Sequence, residues 1–188
     1  MIDGPARLPD IRRIDQAVIM MAERGRSPAA VAAARKVSAL GEPGFVVVPL
    51  AVAAAVAMRR AGWRAACLPW LTVASGAVAR RLVSKAVARP RPPTEIWLTE
   101  PEGFSLPSKH TTLAALTAGA CARGVGAEGL AGRAAPALAA ATVGASRVYL
   151  GVHWPSDVLA GWLFAEGWLR LASAISRLAT RAPAGRAS

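Results

Sequence analysis

The segment Ser146-Arg147-Val148-Tyr149-Leu150-Gly151-Val152-His153-Trp154-Pro155-Ser156-Asp157 is the most informative stretch of this 188-residue chain. Proline is comfortable in a first helical turn, so a helix is expected to begin near Trp154. Asp157 then lies in that turn, close enough to reach back toward His153. A carboxylate bonded to one imidazole nitrogen fixes the tautomer and leaves the other nitrogen free as a nucleophile. It also stabilises the positive charge that the ring gains on attack. A buried histidine satisfied by a helix-start aspartate would look the same locally, so the segment has to be weighed with its surroundings.

Two other segments stand apart from an apolar background. One is Ser84-Lys85-Ala86-Val87-Ala88-Arg89-Pro90-Arg91-Pro92, and the other is Leu106-Pro107-Ser108-Lys109-His110-Thr111. The chain has two histidines, and His110 opens an apolar run directly after a Pro-Ser turn. Ser108 is a good helix N-cap, so the N–H groups of Lys109, His110 and Thr111 should face whatever precedes the helix, a ready anion site. His110 at its edge can protonate a leaving oxygen and then deprotonate an attacking water. Arg89, Arg91 and Arg147 can neutralise the non-bridging oxygens of a transferring phosphoryl group. Two histidines and scattered carboxylates have no ligand spacing that supports a metal site, so neither metal nor other cofactor is expected.

Hydrophobic residues make up 54% of the chain, yet it has 23 Lys and Arg against 11 Asp and Glu. A nucleic-acid binder would gather such charge on one face, with few long apolar runs between. Here the basic residues close apolar runs, as arginines reaching toward lipid headgroups would, so no nucleic-acid partner is expected. The runs are Phe45 to Met58 (closed by Arg59 and Arg60), Ala65 to Ala79 (closed by Arg80 and Arg81), Thr111 to Ala122, Ala134 to Ala145, and Val158 to about Leu178. None reaches about eighteen uncharged residues, but snorkelling arginines add about a turn at each end, giving about five transmembrane helices. A soluble helical bundle with these runs as its core is the alternative. Glu166 should face the bundle or an interface. Cys67 and Cys121 read as small core residues. Trp70, Trp97, Trp154, Trp162 and Trp168 read mostly as interface anchors.

Before the runs, Asp10 to Glu23 sets Ile11, Ile14, Val18, Ile19 and Met21 among Arg12, Arg13, Asp15 and Glu23. That is an amphipathic helix suited to lying in an interface. A second short helix is expected from Pro28 to Leu40, ending before Gly41-Glu42-Pro43-Gly44. The polar loop Ala88 to Lys109 holds five prolines and three glutamates, Glu95, Glu100 and Glu102, and loops this long are usually functional. The expected organisation is an interfacial segment over 1–42, a membrane domain over 43–179 and a disordered tail over 180–188. The opening MIDGPARLPD lacks the apolar core of a cleaved signal.

The three polar segments resemble the signature of the type 2 phosphatidic acid phosphatase family of lipid phosphatases, whose fold vanadium haloperoxidases share. The family pattern runs K-x6-R-P, then P-S-G-H, then S-R-x5-H-x3-D. Ser146, Arg147, His153 and Asp157 match the last in full, and the resemblance covers roughly residues 80 to 165. It implies an all-α membrane bundle, His153 as nucleophile through a phosphohistidine, Asp157 as its orienting partner and His110 as general acid and base. Arg91, Arg147, Ser108 and the backbone at Lys109 would hold the phosphate. Two departures stand out. Lys109 replaces the usual glycine, and the family's first lysine falls on Ser84, with Lys85 one residue too close. Either Lys85 still reaches the phosphate or Lys109 supplies the missing charge.

The implied substrate is a membrane lipid phosphate: phosphatidic acid, phosphatidylglycerol phosphate, a polyprenyl diphosphate, or a polyprenyl-phosphate sugar bearing a further phosphate. The short Ala-, Arg- and Val-rich chain and its P-S-K-H variant are similar to the actinobacterial branch that dephosphorylates decaprenylphosphoryl-5-phosphoribose for arabinan precursors of the cell wall. With five spans the polar segments share a side with the N-terminus. Basic residues divide ten to that side and nine to the other, which leaves a cytoplasm-facing site in the plasma membrane allowed. A homo-oligomer or a complex with a lipid-biosynthetic enzyme is compatible with these features. A haloperoxidase, or an inactive partner that merely binds a lipid phosphate, would be the competing functions.

Overall fold

Gly62 is the residue on which the first long apolar stretch turns back. The computed structural model describes residues 10–127 and 129–181. Within it, helical hydrogen bonding runs from Pro43 to Val87, but Gly62 sits at φ 79° and ψ −175°, a conformation open to glycine and closed to most side chains. Two arms result, over 43–61 and 63–87. Ala53 from the first and Pro69 from the second both pack on Gly124, and Pro43 shares a cavity wall with Arg80 and Lys85, so the arms lie antiparallel. The two apolar runs at 45–58 and 65–79 thus form one hairpin, here α3. Its second arm continues past Arg81 and takes Ser84 and Lys85 into helix.

The order is α1 (Ile11–Arg24), α2 (Pro28–Ala39), α3 (Pro43–Val87), a short 3-10 turn (Thr94–Ile96), α4 (Lys109–Gly124), α5 (Gly129–Tyr149) and α6 (Pro155–Arg181). The described residues contain no strand. α4 is the axis of the bundle, packed against α3, α5 and α6, with nine residues between Thr111 and Ala120 buried. Leu113, Leu116 and Ala120 meet Val46, Leu50, Val73 and Leu169 in the main core.

Among the described residues two helices are long and apolar enough to cross a membrane, Pro43–Val87 and Pro155–Ala179. Only 22% and 17% of their most apolar windows are buried. A helix that is apolar and mostly outward-facing has a lipid-exposed surface, whereas the core helix of a soluble bundle would hide that surface. Val48, Leu71 and Leu82 are among the side chains left outside. The exposure disfavours the soluble alternative.

Several local expectations need correction. Cys67 is exposed on the outer face of the hairpin rather than in the core, while Cys121 is half-buried against the core. Trp97 and Trp154 donate to the carbonyls of Pro92 and Pro90 at 3.0 and 3.1 Å, so they brace the proline-rich loop. Trp168 donates to Ser75 at 3.1 Å, and Trp162 packs on the core, its indole nitrogen buried. Glu166 is largely shielded and pairs with Arg170 at 3.9 Å. α1 is more than an interfacial helix: Asp15 and Ile19 are buried against the bundle, while Ile11, Ile14, Val18 and Met21 form an exposed apolar stripe. Most of the 180–188 tail lies outside the described residues, with α6 running to Arg181, as does almost all of the opening ten.

Candidate active site

Five chain segments meet at one end of the bundle: the Gly41–Pro43 turn, the polar loop, the start of α4, the end of α5 and the start of α6. They enclose a cavity of about 390 Å³ whose walls include Arg91, Lys109, His110, Arg147 and His153. Gly151, at φ 76°, lets the chain leave α5 sharply and turn into His153. A Cβ there would meet the Ile96 carbonyl at 2.3 Å, so the close approach requires glycine.

His153 is fully buried except for its face on this cavity. Arg91 Nη1 lies 3.1 Å from His153 Nε2. Guanidinium is a donor only, so Nε2 must accept, and the ring proton belongs on Nδ1. Nδ1 faces Asp157 Oδ2 at 3.6 Å and the Ser105 hydroxyl at 3.5 Å. Ser105 in turn donates to Asp157 Oδ2. Burial, and secondarily the Arg91 charge against the opposing pull of Asp157, takes the His153 pKa down to about 4. The ring is therefore a neutral imidazole at neutral pH with its lone pair on Nε2.

Asp157 is held from several directions. It stands in the first turn of α6 and accepts from the Trp154 N–H at 2.9 Å, as the acid of a capping box does. Its other oxygen accepts from Arg89 at 2.6 Å.

His110, at the start of α4 and ahead of its apolar run, lines the same cavity with Glu42 4.0 Å away. Burial, then the charges of Arg147 and Lys109, push its pKa down to about 3. Arg147 is 4% exposed and donates Nη1 to Ser38 at 2.8 Å, while its buried Nε–H has no partner among the described residues. The residue also lines the cavity with the two histidines, which sets a guanidinium beside them as a charged donor suited to an oxyanion. Arg91 is already heavily engaged: Nε and both terminal nitrogens donate to the carbonyls of Glu102, Gly103, Phe104 and Val152 at 2.7–3.1 Å. It wraps the polar loop around His153, and burial lowers its pKa to about 10.

The model of the PAP2 superfamily matches residues 64–181. The chain belongs to that superfamily. This PAP2 protein is 31% identical, over 166 residues, to the decaprenylphosphoryl-5-phosphoribose phosphatase of Mycolicibacterium smegmatis, covering 82% of this chain and 84% of that one. Its fold is similar to that of the transmembrane PAP2-type phosphatidylglycerolphosphate phosphatase of Bacillus subtilis, with a TM-score of 0.78 at 22% identity over 94% of this chain and 90% of that one. It is also similar to LpxE of Aquifex aeolicus, with a TM-score of 0.68 at 22% identity over 86% and 95%. As a member of the PAP2 superfamily the chain is a phosphoric monoester hydrolase of a membrane-protein type.

Not every cation expected at the phosphate sits in this PAP2 cavity. Arg89 does not line it; the guanidinium lies behind Asp157, bound to Asp157, to Ser156 at 2.7 Å and to Asp15 at 2.8 Å. Lys85 lines a neighbouring cavity instead, together with Ser84, on the last turn of α3. Lys109 borders both cavities and pairs with Glu102 at 3.0 Å. Ser108 is completely buried beneath the floor, where its hydroxyl accepts from Thr111 at 3.0 Å rather than capping α4. Its N–H donates to the Asp157 carbonyl at 3.1 Å, tying α4 to α6. Glu100 and Glu102 line the cavity with the two histidines, whereas Glu95 does not.

Sequence reasoning missed Ser105, Ser38, Glu42 and the inward use of Asp15. Ser105 had a weak signal, a small hydroxyl three residues before Ser108. Asp15 had one too, as a lone acid on the apolar side of an otherwise basic helix.

Proposed function

We propose that this protein is a multi-pass membrane phosphatase that hydrolyses the phosphomonoester of a lipid-linked substrate through a phosphohistidine on His153. The single observation that carries the reading is the one cavity that His153, His110 and the guanidinium-bearing Arg147 line together.

The chemistry follows from the roles these atoms can play. Nε2 attacks phosphorus, forming a P–N bond as the ester P–O bond breaks. Asp157 stabilises the imidazolium, and Ser105 keeps its carboxylate in place. His110 gives a proton to the departing oxygen, which requires that a bound dianionic phosphate lift its pKa well above that of the empty site. Arg147, Lys109 and the remaining capacity of Arg91 meet the non-bridging oxygens. Neutral His110 then takes a proton from water, which attacks phosphorus and breaks the P–N bond, releasing inorganic phosphate and neutral His153. Arg89 and Ser108 act through Asp157 and the α4–α6 junction instead of touching phosphate.

On this reading the membrane domain covers 43–179 with five spans, α3 contributing two, and the interfacial N-terminal segment, of which α1 and α2 are described, docks on the active-site side, placed at the cytoplasmic face. The similarity to the Mycolicibacterium smegmatis phosphatase supports a polyprenyl-phosphate sugar phosphate of the decaprenylphosphoryl-5-phosphoribose kind as substrate. The test is phosphate release from a panel of lipid phosphates by detergent-purified protein with chelator present and with vanadate as inhibitor. His153→Ala is expected to lower turnover by at least about a thousandfold. Full activity in that variant would overturn the mechanism, and measurable wild-type turnover would remove the inactive-partner alternative.

A further inference from the structure

Beside the catalytic cavity lies a second one of about 420 Å³, between the two arms of α3, the polar loop and α4. The two cavities share Pro43, Glu102 and Lys109, so the Lys109–Glu102 ion pair stands in the wall between them. Their charge differs sharply. The catalytic cavity sets Arg91, Lys109 and Arg147 against Glu42, Glu100 and Glu102, a formal balance. The second sets Arg80, Arg81, Lys85 and Lys109 against Glu102 alone. Its inner wall is apolar, with Ala77, Leu113 and Leu116.

The four cations are not equally engaged. Arg80 donates to the Pro107 carbonyl at 3.1 Å, and Lys109 is paired with Glu102. Arg81 and Lys85 have no hydrogen bond or ion pair among the described residues. Snorkelling anchors on a membrane protein are ordinarily spread around its rim. Here they converge on one cavity that opens from the catalytic one and continues into apolar wall.

We propose that this cavity is a second anion subsite, which takes the phosphodiester joining lipid tail to head group while the terminal phosphomonoester lies against His153. The inference rests on the phosphatase reading above and narrows it to lipids with two separated phosphates. Arg81 and Lys85 meet the diester oxygens, and the first carbons of the chain lie on Ala77, Leu113 and Leu116. Lys109, standing where the family has glycine, reaches both phosphates from the dividing wall. The displacement of Lys85 from the catalytic cavity then becomes a specificity feature instead of a loss.

The experiment compares phosphatidylglycerolphosphate, which has both phosphates, with phosphatidic acid, which has one, in detergent micelles. Arg81→Gln combined with Lys85→Gln is expected to raise KM for the first roughly tenfold, as losing two charge-assisted contacts would, with kcat held and KM for the second within about twofold. Equal shifts for both lipids, as loss of general membrane anchoring would give, or no shift for either, would overturn the subsite. A second arm needs no turnover: native mass spectrometry of the same proteins with phosphatidylglycerol, which has the diester and no terminal phosphate. The double variant should retain roughly tenfold less of it than wild type; equal retention overturns the proposal. A wild type that hydrolyses neither lipid places the substrate elsewhere in the lipid-phosphate panel, and the retention ratio still decides the subsite; no turnover on the whole panel would sink the phosphatase reading.

Discussion

Asp15, in the first helix, is joined to Asp157, in the last, by the single guanidinium of Arg89, at 2.8 Å on one side and 2.6 Å on the other. Asp15 also accepts from the N–H of Ser156 at 2.9 Å and from its hydroxyl, so a carboxylate from α1 serves the exposed amide at the start of α6. Because α1 presents Ile11, Ile14, Val18 and Met21 outward, a helix with an exposed apolar stripe is also wired to the carboxylate that faces His153.

Asp15→Asn keeps the shape of that link and removes its charge. The half-buried Arg89 retains Asp157, so the loss should be that of one charge-assisted bond, about 1–3 kcal/mol in thermal or denaturant unfolding. Turnover should fall roughly tenfold as Asp157 loosens, since one factor of ten corresponds to about 1.4 kcal/mol of transition-state stabilisation. Unchanged kcat with lowered Tm would show that Asp15 serves the fold alone.

Ser105→Ala deletes the hydroxyl that lies between Asp157 and the ring of His153. Since the direct Nδ1–Oδ2 separation is 3.6 Å, the variant leaves the imidazole with a looser guide. The expected result is a kcat reduced by about one to two orders of magnitude, with KM nearly constant, because the residue faces away from the phosphate. Steady-state kinetics on one lipid phosphate checks it; a change in KM alone would refute the assignment.

The low pKa of His153 fixes the sign of two pH effects. In the empty enzyme the nucleophile stays neutral down to about pH 4, so the acid limb of kcat/KM due to this group should lie there and not near 6.5. Unfolding returns the ring to its ordinary 6.5, so the unfolded chain binds more protons between those values. Stability from this site is therefore full above about 6.5 and declines as the pH falls toward 4. Arg91 is one of the charges holding the pKa down, so Arg91→Gln should move the acid limb upward. A limb that stays in place would argue against the contact.

Gly41→Ala tests the turn that covers His110. A Cβ at residue 41 would fall 2.7 Å from both the Cβ and the carbonyl oxygen of His110, contacts that neither atom can relieve by rotating. Overpacking of this kind costs about 1–3 kcal/mol. The general acid should be displaced with it, so turnover should drop by more than roughly tenfold, given how steeply proton transfer depends on position. Normal turnover would show that the turn yields freely.

Much of the arrangement is legible in the order of residues because its causes are local. Pro155 and Asp157 start α6 where the motif predicts, and Ser27 with Pro28 starts α2. The apolar runs and the arginines that close them mark the helices, since desolvation of a charge is costly wherever the chain turns. The fully matched motif places His153, Asp157 and Arg147 together, as three neighbours on one chain turn must be.

What sequence spacing could not decide is which face of each element turns inward. Lys85 lies on the last turn of α3, where one residue is about 100° of rotation, and Arg89 lies just past its end, where the loop turns it onto Asp157 and Asp15. Whether the 43–87 stretch is one straight helix or two antiparallel arms depended on the positive φ of Gly62. Ser105, Ser38 and Asp15 enter the site from segments far apart along the chain, and only packing brings them there. The sequence by itself determined the apolar helices and the family; the tertiary structure decided which cations line the cavity with the two histidines, because that depends on long-range hydrogen bonds with no signature in local spacing.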